Sequence, residues 1–242
     1  MTQPVKLEVR TIKCFLSDAS SLEPLTFDQP VGSLLYGISG FLLIYPEYDV
    51  WTGPSGWVQD NKITKFQVSL SFTTISNADG SLAYVPNVVA CMKSNNDDQP
   101  DIDLESSWVY FTVIAITGDN TSSVAKLGNI GLIEAGEEVE VGIPSDAQGN
   151  ALLAGCEFVF GTNEEDVSSV QADTALSDGV VTPSGSMQNT SGSSNTSKID
   201  AGYIAALKSS PGFRTTVATS KQTSDSFTIN MGDGPYSACA AI

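Results

Sequence analysis

Residues 65–92 read KFQVSLSFTTISNADGSLAYVPNVVACM, and this stretch decides the fold. Over Lys65–Thr73, Phe66, Val68, Leu70 and Phe72 alternate with Gln67, Ser69 and Ser71. Successive side chains of a strand point to opposite faces, so this period of two marks a half-buried β-strand. Asn77-Ala78-Asp79-Gly80 follows, and Asp-Gly supplies the positive φ angles of a tight hairpin turn. A second strand is expected over Leu82–Met92. Pro86 has no N–H to give to a ladder, so it marks an edge or a bulge there. Together these segments predict an antiparallel hairpin.

The same period recurs on both sides of it. Apolar residues sit at odd positions in Val5, Leu7 and Val9, then at even positions in Ile12, Cys14 and Leu16. That change of parity predicts a β-bulge near Arg10–Thr11. Ile38–Tyr45 is an apolar run bounded by Gly37 and Pro46, and it reads as a core strand. Trp108–Thr117 (WVYFTVIAIT) is apolar at both parities, which places it at the centre of a sandwich. Further strands are expected at Ile130–Leu132, Val139–Ile143, Cys156–Phe160, Thr215–Thr219 and Phe227–Met231. The best helix signal is Asp200–Lys208, with Asp200 as its cap and Ser209-Ser210-Pro211-Gly212 as its stop. Residues 182–198 (TPSGSMQNTSGSSNTSK) are Ser/Thr/Gly-rich and predict a long flexible polar loop, which is also where a domain boundary would fall. The 44 residues beyond it are too few for a comfortable second domain, so 1–242 reads as a single β domain. The expected fold is all-β, a β-sandwich or jelly roll of about eight to ten strands with one short helix and one long polar loop.

Charge narrows the function. The chain carries 11 basic against 28 acidic residues, a formal net charge of −17. Positions 14–61 and 127–197 hold no Lys or Arg. Nucleic acid is bound through a basic face that displaces counterions, so it is not an expected partner. No apolar run approaches the length of a membrane helix, and Met1–Arg10 lacks a signal-peptide core. The source compartment stays unknown. The expectation is synthesis in a cytoplasm, with an extracellular or virion assembly as a destination.

The chain has no histidine, which removes the commonest general base and metal ligand. Cys14, Cys91, Cys156 and Cys239 are too far apart in sequence for paired zinc ligands. They can form two disulfides in three pairings, or stay as buried thiols. Ser123-Val124-Ala125-Lys126 fits S-x-x-K, but its partner motifs are missing. The chain therefore reads as non-enzymatic, with no obligate cofactor.

Two loops carry candidate sites. Glu47-Tyr48-Asp49-Val50-Trp51 through Trp57 combines the rings of Tyr48, Trp51 and Trp57 with the carboxylates of Glu47 and Asp49. Rings that stack on C–H groups, beside acceptors for hydroxyls, suit a glycan or a protein partner. The bland alternative is that Trp51 and Trp57 fold inward. In residues 94–105, Asp97, Asp98, Asp101, Asp103 and Glu105 offer hard oxygens for calcium, without EF-hand spacing. A solvated loop is the competing reading.

Function is read accordingly. The first expectation is a self-associating structural protein, a virion, filament or inclusion-body subunit that works through protein–protein contacts. The alternative is a lectin-like module using the Tyr48–Trp57 loop. A glycan hydrolase with paired carboxylates comes third.

Overall fold

The structure, a computed structural model, describes residues 5–44, 48–51, 57–60, 63–93, 102–119, 125–144, 149–159, 167–189, 196–207, 224–230 and 237–241. The strands, in chain order, are β1 (Lys6–Phe15), β2 (Leu25–Thr26), β3 (Val31–Ile44), β4 (Tyr48–Trp51), β5 (Trp57–Asp60), β6 (Lys65–Ser76), β7 (Leu82–Lys93), β8 (Trp108–Thr117), β9 (Ala125–Asn129), β10 (Ile133–Glu134), β11 (Val139–Glu140), β12 (Gly149–Val159), β13 (Val167–Ser177), β14 (Val180–Asn189), β15 (Thr196–Ala206), β16 (Ser224–Asn230) and β17 (Ser237–Ala241). A 3₁₀ turn at Leu16–Ser21 is the one helical element among the described residues. The chain is almost entirely β, as expected, with more strands than the sequence suggested because several span only two residues.

One sheet has the order β1-β8-β3-β17. A larger one runs β10-β15-β12-β6-β7-β2, with β9 also pairing β15. A third runs β11-β14-β13-β16, and β4-β5 form a ribbon. Phe41 of the first sheet packs on Phe66 of the second at 6.0 Å between centroids, and Phe66 on Phe158 at 6.5 Å. Val109, Phe111 and Val113 close on the same buried cluster from β8. The third sheet adds Val170 and Ala172 to this core, and packs Leu176 and Val181 on Ala201 and Ala205.

The β6–β7 hairpin keeps an unbroken register from Lys65↔Lys93 to Ser76↔Leu82. Its turn has Gly80 at φ 83°, and Asp79 Oδ1 accepts from the Ser81 N–H at 2.9 Å. Pro86 lies past Ala83 and Tyr84, the two β7 residues that β2 pairs, and so on an open edge.

Four local expectations are corrected. Asp200 does not cap a helix; it sits inside β15, where ladders to β12 on one side and to β9 and β10 on the other outweigh helix propensity. Residues 182–189 and 196–198 are strand rather than loop, because Ser and Thr tolerate a half-buried pleated surface, with Val181 and Pro183 turned inward. Residues 190–195 lie outside the described residues. β1 has no bulge: it pairs β8 continuously from Lys6↔Thr117 to Phe15↔Trp108. The irregularities fall instead in β3, β12 and β13. Residues 130–132 link β9 to β10 and are not a strand.

Candidate functional site

The continuous register of β1 has a consequence for the surface. Its even positions Ile12 and Cys14 enter the core. Its odd positions Leu7, Val9, Thr11, Lys13 and Phe15 therefore share the outer face, opposite Ile116, Ile114, Thr112, Tyr110 and Trp108 of β8. A sheet with one face on the core normally turns polar side chains to solvent on the other. Here Leu7, Val9 and Phe15 are 42%, 57% and 39% exposed. Trp108, Tyr110 and Ile114 are half-buried, and Leu42 of β3 lies beside Trp108.

One end of this face is aromatic. Trp108 and Tyr110 meet edge to face at 4.7 Å. The Lys13 ammonium stands 4.7 Å from the Phe15 ring centroid and 5.5 Å from that of Tyr110. A cation over ring faces is attracted by their quadrupoles, so Lys13 caps its own neighbours. Thr112 closes the polar middle by bonding Ser39 Oγ at 2.7 Å. The nearest β1 carboxylate, Glu8, belongs to the other face, where it accepts from Thr117 Oγ1 at 3.1 Å and pairs with Arg10. At the opposite end Ile116 is buried with Leu35, Ala125, Leu127 and Ile204, so β9 and β15 cover that part.

For the aromatic loop, the ladder of β4 on β5 places Tyr48 opposite Asp60, Asp49 opposite Gln59, Val50 opposite Val58 and Trp51 opposite Trp57. By strand alternation, positions 49, 51, 57 and 59 fall on one face of the ribbon and Tyr48 on the other. Glu47 lies outside the described residues. So do Asp97, Asp98 and Asp101 of the acidic loop. Asp103 spends Oδ1 on the N–H groups of Glu105 at 3.1 Å and Ser106 at 3.3 Å, and hydrogen bonding from the Ser106 side chain first, then from these N–H groups, holds its carboxyl below the ordinary value. Glu105 is exposed. Among the described residues no group of three or more His, Cys, Asp or Glu is placed to hold a metal ion.

One buried carboxyl escaped the sequence reading. Asp200 is 3% exposed. Its Oδ1 accepts from the Gly131 N–H at 3.0 Å and its Oδ2 from the Tyr36 hydroxyl at 3.4 Å. Asn129 completes the group by mimicking a strand on the free edge of β3: Tyr36 N–H donates to Oδ1 at 3.0 Å and Nδ2 donates to Tyr36 O at 2.9 Å. Burial pushes the Asp200 carboxyl up to about 7, against the pull of these hydrogen bonds, and burial also raises the Tyr36 hydroxyl. The network ties the two main sheets together. Cys14 and Cys156 are buried thiols, and burial pushes Cys156 up to about 12.

Set against protein-family models, curated proteins and solved structures, the chain matches none. The outer face of β1 and β8 was visible in the sequence as apolar residues at both parities. In β1 that pattern read as a bulge, whereas the strand buries Ile12 and Cys14 and exposes Leu7, Val9 and Phe15. In β8 it read as central burial, and β8 does lie between β1 and β3, with its residues buried or half-buried.

Proposed function

We propose that this chain is a non-enzymatic structural subunit that self-associates through protein–protein contacts. The observation that carries the reading is the apolar strip on the outer face of β1, with Leu7, Val9 and Phe15 exposed, together with the half-buried Trp108 and Tyr110 of β8. Single exposed apolar residues are ordinary, but a contiguous apolar sheet face marks an interaction surface. Aromatic rings at its end are the groups that supply most energy in interfaces. The mass distribution of the purified chain across concentration, with and without millimolar calcium, tests it. Species larger than the 25.4 kDa monomer that grow with concentration are expected. A monodisperse monomer at high concentration in both conditions would sink it.

A second reading rests on the β4–β5 register, which pairs Trp51 with Trp57 and Asp49 with Gln59. Rings and acceptors on one ribbon face suit a glycan. Trp51→Ala or Trp57→Ala should abolish glycan-array signal with no change in melting temperature. A large fall in melting temperature would instead assign the indoles to the fold.

A further inference from the structure

We infer that Asp200 is a pH-sensitive clasp: with its proton it holds β9 and the link to β10 closed over Leu35 and Ile116, and without it that segment opens. This goes beyond the self-association reading and does not depend on it.

The clasp sits where β15 changes partner. The ladder of β15 with β10 ends at Ile199↔Ile133, and its ladder with β9 begins at Gly202↔Asn129. Asp200 lies in the gap. There its Oδ1 takes the Gly131 N–H at 3.0 Å and its Oδ2 the Tyr36 hydroxyl at 3.4 Å. Beside it the Ile130 N–H reaches Ala201 O at 3.0 Å. Asn129 then bonds both the N–H and the carbonyl of Tyr36 on β3. One carboxyl therefore stands at the joint of β15, the β9–β10 link and β3.

The groups that face it are neutral. They are Tyr36 on β3, Asn129 and Gly131 on the β9 side, and Gly155 opposite it on β12. The cations of the elements packed around it are engaged elsewhere. Lys198, two residues along β15, stands 3.9 Å from Glu134 of β10. Glu157 of β12, opposite Lys198, pairs with Lys65 of β6 at 2.8 Å. Lys126 of β9 donates to Gly142 O. A carboxyl that is 3% exposed with no cation beside it favours its neutral form, and burial holds this one up to about 7.

Ionisation strains the closed joint, and the element with the least behind it gives way. β12 has β6 on one side and β15 on the other, whereas β9 is five residues long and pairs β15 alone. Its hold on the molecule is that ladder, the Asn129 bonds and the packing of Ala125 and Leu127 on Leu35, Ile116 and Ile204. Short, singly paired segments are where native proteins open locally. Lifting residues 125–131 hydrates Asp200 and uncovers Leu35 and Ile116. Closed, the carboxyl keeps its proton to about pH 7; open, only to the ordinary 3.8. Closure is therefore complete in acid, weakens as pH rises from 4 to 7, and changes no further above that. From pH 5 to pH 8 the opening equilibrium should grow roughly a hundredfold.

Amide hydrogen exchange of the full chain at pH 5, 6.5 and 8, corrected for intrinsic exchange and repeated in low urea, tests this. The amides of residues 125–131 and of Tyr36 should lose about a hundredfold in protection between pH 5 and 8, through an opening that low urea leaves unchanged. The amides of β6 should exchange only through the urea-sensitive unfolding of the whole chain. Asp200→Asn should keep residues 125–131 protected and abolish their pH dependence. Asn129→Ala should leave them weakly protected at every pH with β6 unchanged. Residues 125–131 that follow the urea-sensitive rate of β6 at every pH would show that Asp200 acts on the whole fold and would overturn the clasp. A pH response that survives in Asp200→Asn would assign it to another group and overturn the inference as well.

Discussion

At the scale of single residues, Asp200 makes the clearest demand. Its carboxyl is pushed up to about 7 in the fold, from an ordinary value of 3.8. A carboxyl raised on folding favours the native state when protonated, and the unfolded chain loses its proton first as pH rises. The stability it contributes is therefore complete below about pH 4 and disappears as pH climbs from 4 through 7. This is the reverse of a salt-bridged aspartate. Asp200→Asn keeps an acceptor for the Gly131 N–H and removes the ionisation. The variant should match wild type near pH 3 and exceed it at pH 8 by on the order of a few kcal/mol. Urea titrations at both pH values measure this, and equal pH slopes in the two proteins would mean that Asp200 titrates normally. Thr174 gives a second residue-scale case. It is fully buried, and its Oγ1 meets no donor among the described residues. Thr174→Val removes an unsatisfied hydroxyl while keeping the shape, so it should stabilise by about 1 kcal/mol.

At the scale of elements, two Asp-Gly turns share a sequence signal but not a backbone, since φ is positive at Gly80 alone in the first and at both Asp178 and Gly179 in the second. In the β6–β7 turn Gly80 has φ 83°, and a Cβ built there meets nothing within 4 Å. In the β13–β14 turn both Asp178 and Gly179 have positive φ, 51° and 80°, as a type I′ hairpin requires, and a Cβ on Gly179 would run into Ile143 O. Gly80→Ala should therefore cost only the left-handed backbone strain, about 1–2 kcal/mol. Gly179→Ala should cost clearly more, because the β11–β14 pairing beside it must shift. Thermal melts of the two variants compare them directly, and equal losses would show that Ile143 yields freely. The pair also shows what was legible. The first hairpin could be read because Phe66, Val68, Leu70 and Phe72 announce its faces. The second carries the same turn signal at Asp178-Gly179, but its strands are built from Ser, Thr, Gly and Ala, and composition hid the alternation of Val170, Ala172, Thr174 and Leu176. The Asp200 segment was misread for a related reason: Ala201, Ala205 and Ala206 favour a helix locally, and nothing in the sequence shows that Gly202 is needed where a Cβ would strike Leu35 and Tyr36. The outer face of β1 and β8 was legible as residues but not as a surface, since exposure depends on which face the core takes.

At the scale of the whole molecule, net charge acts on the fold as well as on association. Eleven cations against 28 carboxylates leave most acidic groups without a partner to neutralise them. The described ion pairs are few and lie at the surface: Lys65–Glu157 at 2.8 Å, Arg10–Glu8 at 3.4 Å and Lys198–Glu134 at 3.9 Å. Exposed pairs of this kind contribute about 0–1 kcal/mol each, so they do not offset a repulsion shared by the whole surface. Screening should then matter more for what it relieves than for what it weakens. Raising ionic strength from about 0.01 M to about 1 M shortens the Debye length from about 30 Å to about 3 Å, below the spacing of most surface charges. The melting temperature should rise over that range by several degrees, and it should do so equally in NaCl and KCl, because screening does not depend on the identity of the cation. The test belongs in dilute solution, so that the added stability is not borrowed from association. A fall in melting temperature with salt would mean that the three surface pairs outweigh the repulsion.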